Sequence, residues 1–189
     1  MSYFFTSESV SEGHPDKLAD QISDAILDNY LAFDPKSKVA CETLVTTNQT
    51  VLAGEVKSNA EINTEKIVRE TINKVGYTNP DYKFTGDSCN FNSFIHEQSV
   101  DINRGVDKIN SKFQGAGDQG IMFGYATSET DDHIPLPLYL SHKLLLELTK
   151  LRKENKDIKY LRPDSKSQVT IEYDSNNNPK KIDTIIIST

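Results

Sequence analysis

The chain has 189 residues, 36% hydrophobic and 26% charged, which is enough for a real core in one or two domains. It holds no run of about 18 apolar residues, which excludes a membrane-spanning helix, and its mean hydropathy is -0.54. A net charge of -7 disfavours a nucleic-acid duplex as partner but leaves room for a local basic pocket that takes a nucleotide.

The first residues, Met1 to Thr6, have neither a basic segment nor a long apolar one, so no secretory signal is expected. Cys41 and Cys89 form no metal-spacing pair, and a reducing cytoplasm with both thiols buried is the expected setting. The stretch Glu12-Gly13-His14-Pro15-Asp16-Lys17 then opens a helix. Gly13 frees the backbone and Pro15 suits the first turn, so His14, Asp16 and Lys17 sit where a helix offers unpaired N–H groups to an anion. Asp16 could hold Mg²⁺ beside a phosphate and His14 could donate to an oxygen; the plain alternative is a capped helix start with solvated charges. The helix is expected over 16–33, with Leu18, Ile22, Ala25, Ile26, Asn29, Tyr30 and Phe33 on one stripe. Asp20, Asp24 and Asp28 fall on another side, as solvated residues. Leu27 and Leu31 lie roughly opposite the stripe, a face for a second layer or a partner subunit.

A hairpin follows, with strands at 39–46 and 51–56 and a turn at Asn48-Gln49. With those two residues as the loop, Glu42 lies directly across from Glu55, and two carboxylates at that range need cations or amines beside them. A slipped register with both glutamates wet at the sheet edge is the alternative. A second helix is expected over 64–75, between Asn63 as cap and Gly76 as stop, then a strand near 89–95. Residues 96–114 are polar and without period, as in a lid or a linker. Gly115-Ala116-Gly117-Asp118-Gln119-Gly120 spells G-x-G-x-x-G, but a loop precedes it and a strand-like run at 120–127 follows, which is wrong for a dinucleotide fingerprint. Its glycines suit close approach of backbone to a ligand faced by Asp118, or simply a turn.

Pro135 and Pro137 introduce a leucine-rich helix through Lys153, with Lys150, Arg152 and Lys153 at the end where cations suit the dipole. Leu161-Arg162-Pro163-Asp164-Ser165-Lys166 leads into strands at 168–173 and 182–188, and Lys166 could hold phosphate oxygens or be solvated. The element order defines an α+β fold of repeated strand-helix-hairpin-helix-strand units, helices on one face of mixed sheets, with the second unit truncated. The chain ends on Ile185-Ile186-Ile187-Ser188-Thr189, an apolar strand, so a longer protein is expected.

Several of these stretches resemble methionine adenosyltransferase (S-adenosylmethionine synthetase). They are Phe5 to Lys17 with Ala19 to Ala25, Ala40-Cys41-Glu42-Thr43, Gly115 to Gly120 with Met122 to Thr127, and Leu161 to Thr170. The resemblance runs the length of the chain in the same order. It implies conversion of ATP, L-methionine and water to S-adenosylmethionine, phosphate and pyrophosphate, with Mg²⁺ (two per site) and K⁺. It implies an N-terminal domain at 1–101, a flexible active-site loop at 102–112 and a partial central domain at 113–189. By the same resemblance His14 meets the ATP phosphates, Asp16 holds magnesium, Glu42 holds potassium, and Glu55 and Gln98 contact methionine. Asp164 and Lys166 belong to the ATP-binding segment, and Asp118 lines the site. Val100 stands where proline is expected in the loop over the site, near 98–107. Active sites between subunits imply a homodimer or a dimer of dimers, in the cytoplasm, with neither nucleic acid nor membrane as partner. Family members continue past this length into further site residues, so this chain alone is expected to have little activity. The rival reading is a truncated, non-catalytic paralogue that binds nucleotide or pairs with a full-length subunit; the reading frame after Thr189 separates the two.

Overall fold

The computed structural model describes residues 1–97, 119–154 and 158–189. The fold is α+β, with β1 (Tyr3–Val10), α1 (Pro15–Phe33), β2 (Lys38–Thr46), β3 (Gln49–Lys57), α2 (Thr64–Val75) and β4 (Asn90–Glu97) in the first half. The second half adds α3 (Leu136–Glu154), β5 (Lys166–Tyr173) and β6 (Pro179–Ser188). Two sheets form, in the orders β1-β5-β6 and β2-β3-β4. The chain divides into two compact units that cut across chain order: residues 1–18, 75–77 and 124–189 make one, and 19–74 with 78–123 the other.

In the first unit every strand pair is antiparallel, and β1 lies along β5 from Tyr3 opposite Tyr173 to Val10 opposite Lys166. Alternation along β5 buries Ser167, Val169 and Ile171. Val169, Ile171 and Tyr173 form a core under Leu136, Leu140 and Leu144, which recur every fourth residue on α3. Full burial, as at Val169 and Ile171, contributes about 1.5–3 kcal/mol per aliphatic side chain. Glu129 fastens the start of α3: its Oε2 accepts from the Leu136 amide at 3.0 Å and from the Tyr173 hydroxyl at 2.7 Å.

In the second unit β2 and β3 are antiparallel and β4 runs parallel to β3. The buried apolar residues are Ile22 and Ile26 of α1, Leu52 and Val56 of β3, and Val68 and Ile72 of α2, with Phe84 and Cys89. Asn63 caps α2 by accepting the Lys66 amide at 3.0 Å, and Gly76 follows the helix at φ +111°. Asp20, Asp24 and Asp28 are exposed, as their spacing predicts, and Cys41 is only half-buried, contrary to expectation.

Two further expectations are corrected. The hairpin turns at Thr47-Asn48, with Asn48 in the left-handed region at φ 56°, so Thr46 closes the ladder against Gln49, where the expected loop would pair Thr47 with Thr50. Glu42 therefore faces Ala53, and Glu55 faces Ala40. Residues 120–127 form no strand, although their apolar run predicts one; Ile121, Met122, Phe123 and Tyr125 are largely exposed. The β1-β5-β6 sheet draws its strands from both halves of the chain, whereas β2-β3-β4 comes from the first half alone.

Candidate functional site

The motif at the start of α1 is built against the segment before β5. Once β1 ends at Val10, Ser11 turns the chain while remaining 4% exposed. Its amide donates to the Ser165 carbonyl at 2.9 Å, its hydroxyl donates to the Pro163 carbonyl at 2.7 Å, and that hydroxyl accepts the Ser165 amide at 2.8 Å. Three hydrogen bonds thus fasten a residue near the N-terminus to a segment some 150 positions on. Gly13 lies so close to Pro163 that a Cβ there would collide with that residue's own backbone. The exposure pattern of the facing segment alternates: Pro163, Ser165 and Ser167 are buried, and Asp164 and Lys166 are exposed.

His14 is the N-cap of α1, with Pro15 at the first helical position. Its carbonyl accepts the Leu18 amide at 2.8 Å and its Nδ1 accepts the Asp16 amide at 3.2 Å. With Nδ1 accepting, the neutral ring carries its proton on Nε2, a donor for an external oxygen. The side chain of His14 is 12% exposed, that of Asp16 is 90% exposed, and Nδ1 lies 3.9 Å from Asp16 Oδ2. One turn of backbone therefore carries a part-buried imidazole and a wet carboxylate, and residues 10–13 just before it run against the segment that holds the exposed Asp164 and Lys166. A carboxylate in water suits a hard cation that takes its other ligands from phosphate oxygens and solvent. No group of three His, Cys, Asp or Glu side chains able to hold a metal occurs among the described residues, so no cage of protein ligands does so there.

Behind this turn lies a second layer of contacts. Glu12 accepts from Arg152 Nη2 at 2.5 Å and from Lys153 Nζ at 2.9 Å, Arg152 also donates to the Val75 carbonyl at 3.0 Å, and the Tyr77 hydroxyl donates to the Gly13 carbonyl at 2.6 Å. Burial, and then the nearby Asp164 charge, push the Tyr77 phenol up to about 12, with Arg152 opposing. Sequence reasoning missed Ser11, Tyr77 and the role of Glu12, and took Arg152 and Lys153 only as partners of a helix dipole. The visible signal was a basic pair at the end of one helix and an unassigned glutamate in the motif.

The other two candidates that can be seen lie in the second unit. Glu42 is exposed on β2 and Glu55 half-buried on β3. In the observed register they share a face as diagonal neighbours, a relation that typically separates residues by about 7–8 Å. His96 stands beside Glu55 in the parallel β3–β4 register, a basic group that the sequence reading did not foresee there. Gln98, Asp118 and the expected lid at 98–107 lie outside the described residues.

An α+β chain whose first helix begins beside a part-buried imidazole and an exposed carboxylate has a helix start of the kind that can accept an anion. Comparison with known proteins gives the particular family. Residues 2–100 match the S-adenosylmethionine synthetase N-terminal domain and residues 113–189 match its central domain. The whole chain is 66% identical to the S-adenosylmethionine synthases of Flavobacterium psychrophilum and Cytophaga hutchinsonii, in each case over 45% of the relative's length. It is 64% identical to that of Bacteroides fragilis, over 44% of that relative. The chain belongs to the S-adenosylmethionine synthetase family, and it spans about half the length of the curated relatives it matches.

Proposed function

We propose that the protein to which these residues belong is a methionine adenosyltransferase. In the reaction the methionine sulfur attacks the ribose 5′ carbon of ATP, an S–C bond forms, and the C–O bond to the chain of phosphates breaks. The tripolyphosphate released is then hydrolysed by one water to pyrophosphate and phosphate. A thioether is neutral and needs no base, so the task of the site is to hold sulfur in line and to neutralise charge growing on the leaving group.

The observation that carries this reading is the β1–β5 pairing together with the Ser11 hydrogen bonds, which bring His14 and Asp16 beside the segment of Asp164 and Lys166. In this reading Nε2–H of His14 donates to a phosphate oxygen and the Lys166 ammonium takes part of the negative charge. Asp16 is the carboxylate that would hold Mg²⁺, whose charge offsets that of the leaving phosphates. Asp164 belongs to the nucleotide-binding segment, and Asp118 lines the same site. Glu55 and Gln98 take the methionine, its ammonium meeting the Glu55 carboxylate. Glu42 would hold K⁺, and that cation with the ammonium offsets the acidity of the outer β2–β3 face. The loop at 98–107 closes over the substrates and keeps water from competing with sulfur. The domain bounds at 1–101, 102–112 and 113–189, the repeated units, a homodimer or tetramer and a cytoplasmic location belong to the same proposal.

The test is formation of S-adenosylmethionine from ATP and methionine with Mg²⁺ and K⁺, run on the 189-residue chain and on the full-length protein that extends it to its relatives' length. The full-length protein is expected to turn over, and the 189-residue chain to show little or no activity. A full-length protein that binds ATP but never yields product would overturn the enzymatic reading.

A further inference from the structure

We infer that Tyr77 and Arg152 are positioning residues that fix the peptide carrying His14, so that the imidazole and the Asp16 carboxylate meet nucleotide phosphates in one arrangement. This rests on the nucleotide reading of the site given above. The peptide between Gly13 and His14 is planar, and both of its polar groups are pinned. Its carbonyl accepts the Tyr77 hydroxyl at 2.6 Å, and its N–H donates to the Ser11 carbonyl at 3.1 Å. With both ends held, the peptide cannot rotate without breaking one bond or the other, and the direction of the His14 side chain follows from it.

Arg152 ties this arrangement together. One nitrogen, Nη2, bonds both the Glu12 carboxylate, one residue before Gly13, and the Val75 carbonyl, two residues before Tyr77. The Arg152 side chain is 11% exposed, and its guanidinium packs so close to Gly76 that a Cβ there would lie 2.5 Å from Nη1. Gly76 also has φ +111°, which L side chains rarely adopt, so only glycine lets the segment carrying Tyr77 pass around the arginine. Lys153 adds a second cation to Glu12 at the exposed edge. Arginine suits this place because the two N–H groups of Nη2 serve the two acceptors while Nη1 of the same rigid plane sits against Gly76. The raised phenol keeps Tyr77 a neutral donor throughout the physiological range.

The experiment is steady-state kinetics of the full-length protein carrying Tyr77→Phe or Arg152→Lys, with ATP and methionine varied separately and the unfolding midpoint measured alongside. Loss of one hydrogen bond to a buried carbonyl predicts that Tyr77→Phe raises KM for ATP about 3–10-fold, with KM for methionine unchanged. Arg152→Lys, which keeps the charge, is expected to shift the same constant in the same direction. Should one variant fail to fold, the other carries the same readout. A lowered unfolding midpoint with KM for ATP unchanged in the folded protein would mean a purely structural role and would overturn the inference. The nucleotide reading is tested apart from it by His14→Ala: if that variant leaves KM for ATP unchanged, the reading of the site fails and the inference with it.

Discussion

Replacing Gly13 by alanine probes the seam on which the site depends. The added methyl carbon would fall on Pro163, meeting its Cβ, its carbonyl carbon and its oxygen rather than the end of a flexible side chain. Relief requires the 163–165 segment to move away, and that segment is held by the two bonds of the Ser11 hydroxyl. Overpacking costs about 1–3 kcal/mol, and each hydrogen bond stretched or lost adds about 1 kcal/mol, so a net destabilisation of about 3 kcal/mol is expected. For a chain of this size that lowers the thermal midpoint by roughly 6–12 °C. The assay is thermal unfolding of wild type and Gly13→Ala followed by circular dichroism, with Ser11→Ala as a second variant that disturbs the same seam without adding bulk. A midpoint for Gly13→Ala within about 2 °C of wild type would refute the reasoning, since it would mean that the two segments are not in contact.

Other expectations concern pH and charge. Asp34, Asp174 and Glu172 all titrate below their usual range, Asp34 chiefly through the Asn59 amide, Asp174 through Asn178, and Glu172 through Lys180. A depressed folded pKa adds stability that is fully present above the ordinary carboxylate value near 4 and is lost as pH falls through the lower folded values, so the unfolding midpoint should drop on acidification below about pH 4. Tyr77 has the opposite sign: its raised pKa means stability fully present below pH 10 and lost as pH climbs from 10 towards about 12, and Tyr77→Phe should flatten that alkaline loss. Lys166→Ala removes an exposed cation, so it should leave the free energy of unfolding within about 0.5 kcal/mol of wild type while reducing the salt dependence of nucleotide binding.

The sequence marks local structure well and long-range pairing poorly. α2 spans the expected 64–75 because its signals are local, a capping asparagine and a stopping glycine. α1 likewise starts where Pro15 sets it, and its buried stripe of Leu18, Ile22 and Ile26 is the one that the 3.6-residue period picks out. The hairpin register failed by a single step, since Thr47-Asn48 and Asn48-Gln49 are both acceptable turns on composition and only the left-handed Asn48 separates them. That step moves Glu42 and Glu55 from directly opposite to diagonal while keeping them on one face, so the acidic pairing survives in weaker form. The run at 120–127 has strand-like residues, but a strand needs a partner edge, and no periodicity announces one. For the site, His14, Asp16, Asp164 and Lys166 are legible as motif residues. The neighbourhood of their two segments is not, because the β1–β5 ladder joins positions that no sequence window holds together. The clamp of Tyr77 and Arg152 on the motif is hidden for the same reason.

The central claim is that one seam grips a triphosphate through His14 and Lys166. The most direct measurement is a titration of the full-length protein with magnesium tripolyphosphate, followed by phosphorus NMR or calorimetry, in wild type, His14→Ala and Lys166→Ala. Charge-assisted hydrogen bonds of about 1.5–3 kcal/mol predict saturable binding that each variant weakens about 10–100-fold, with folding intact. Equal affinity in all three proteins would contradict the account.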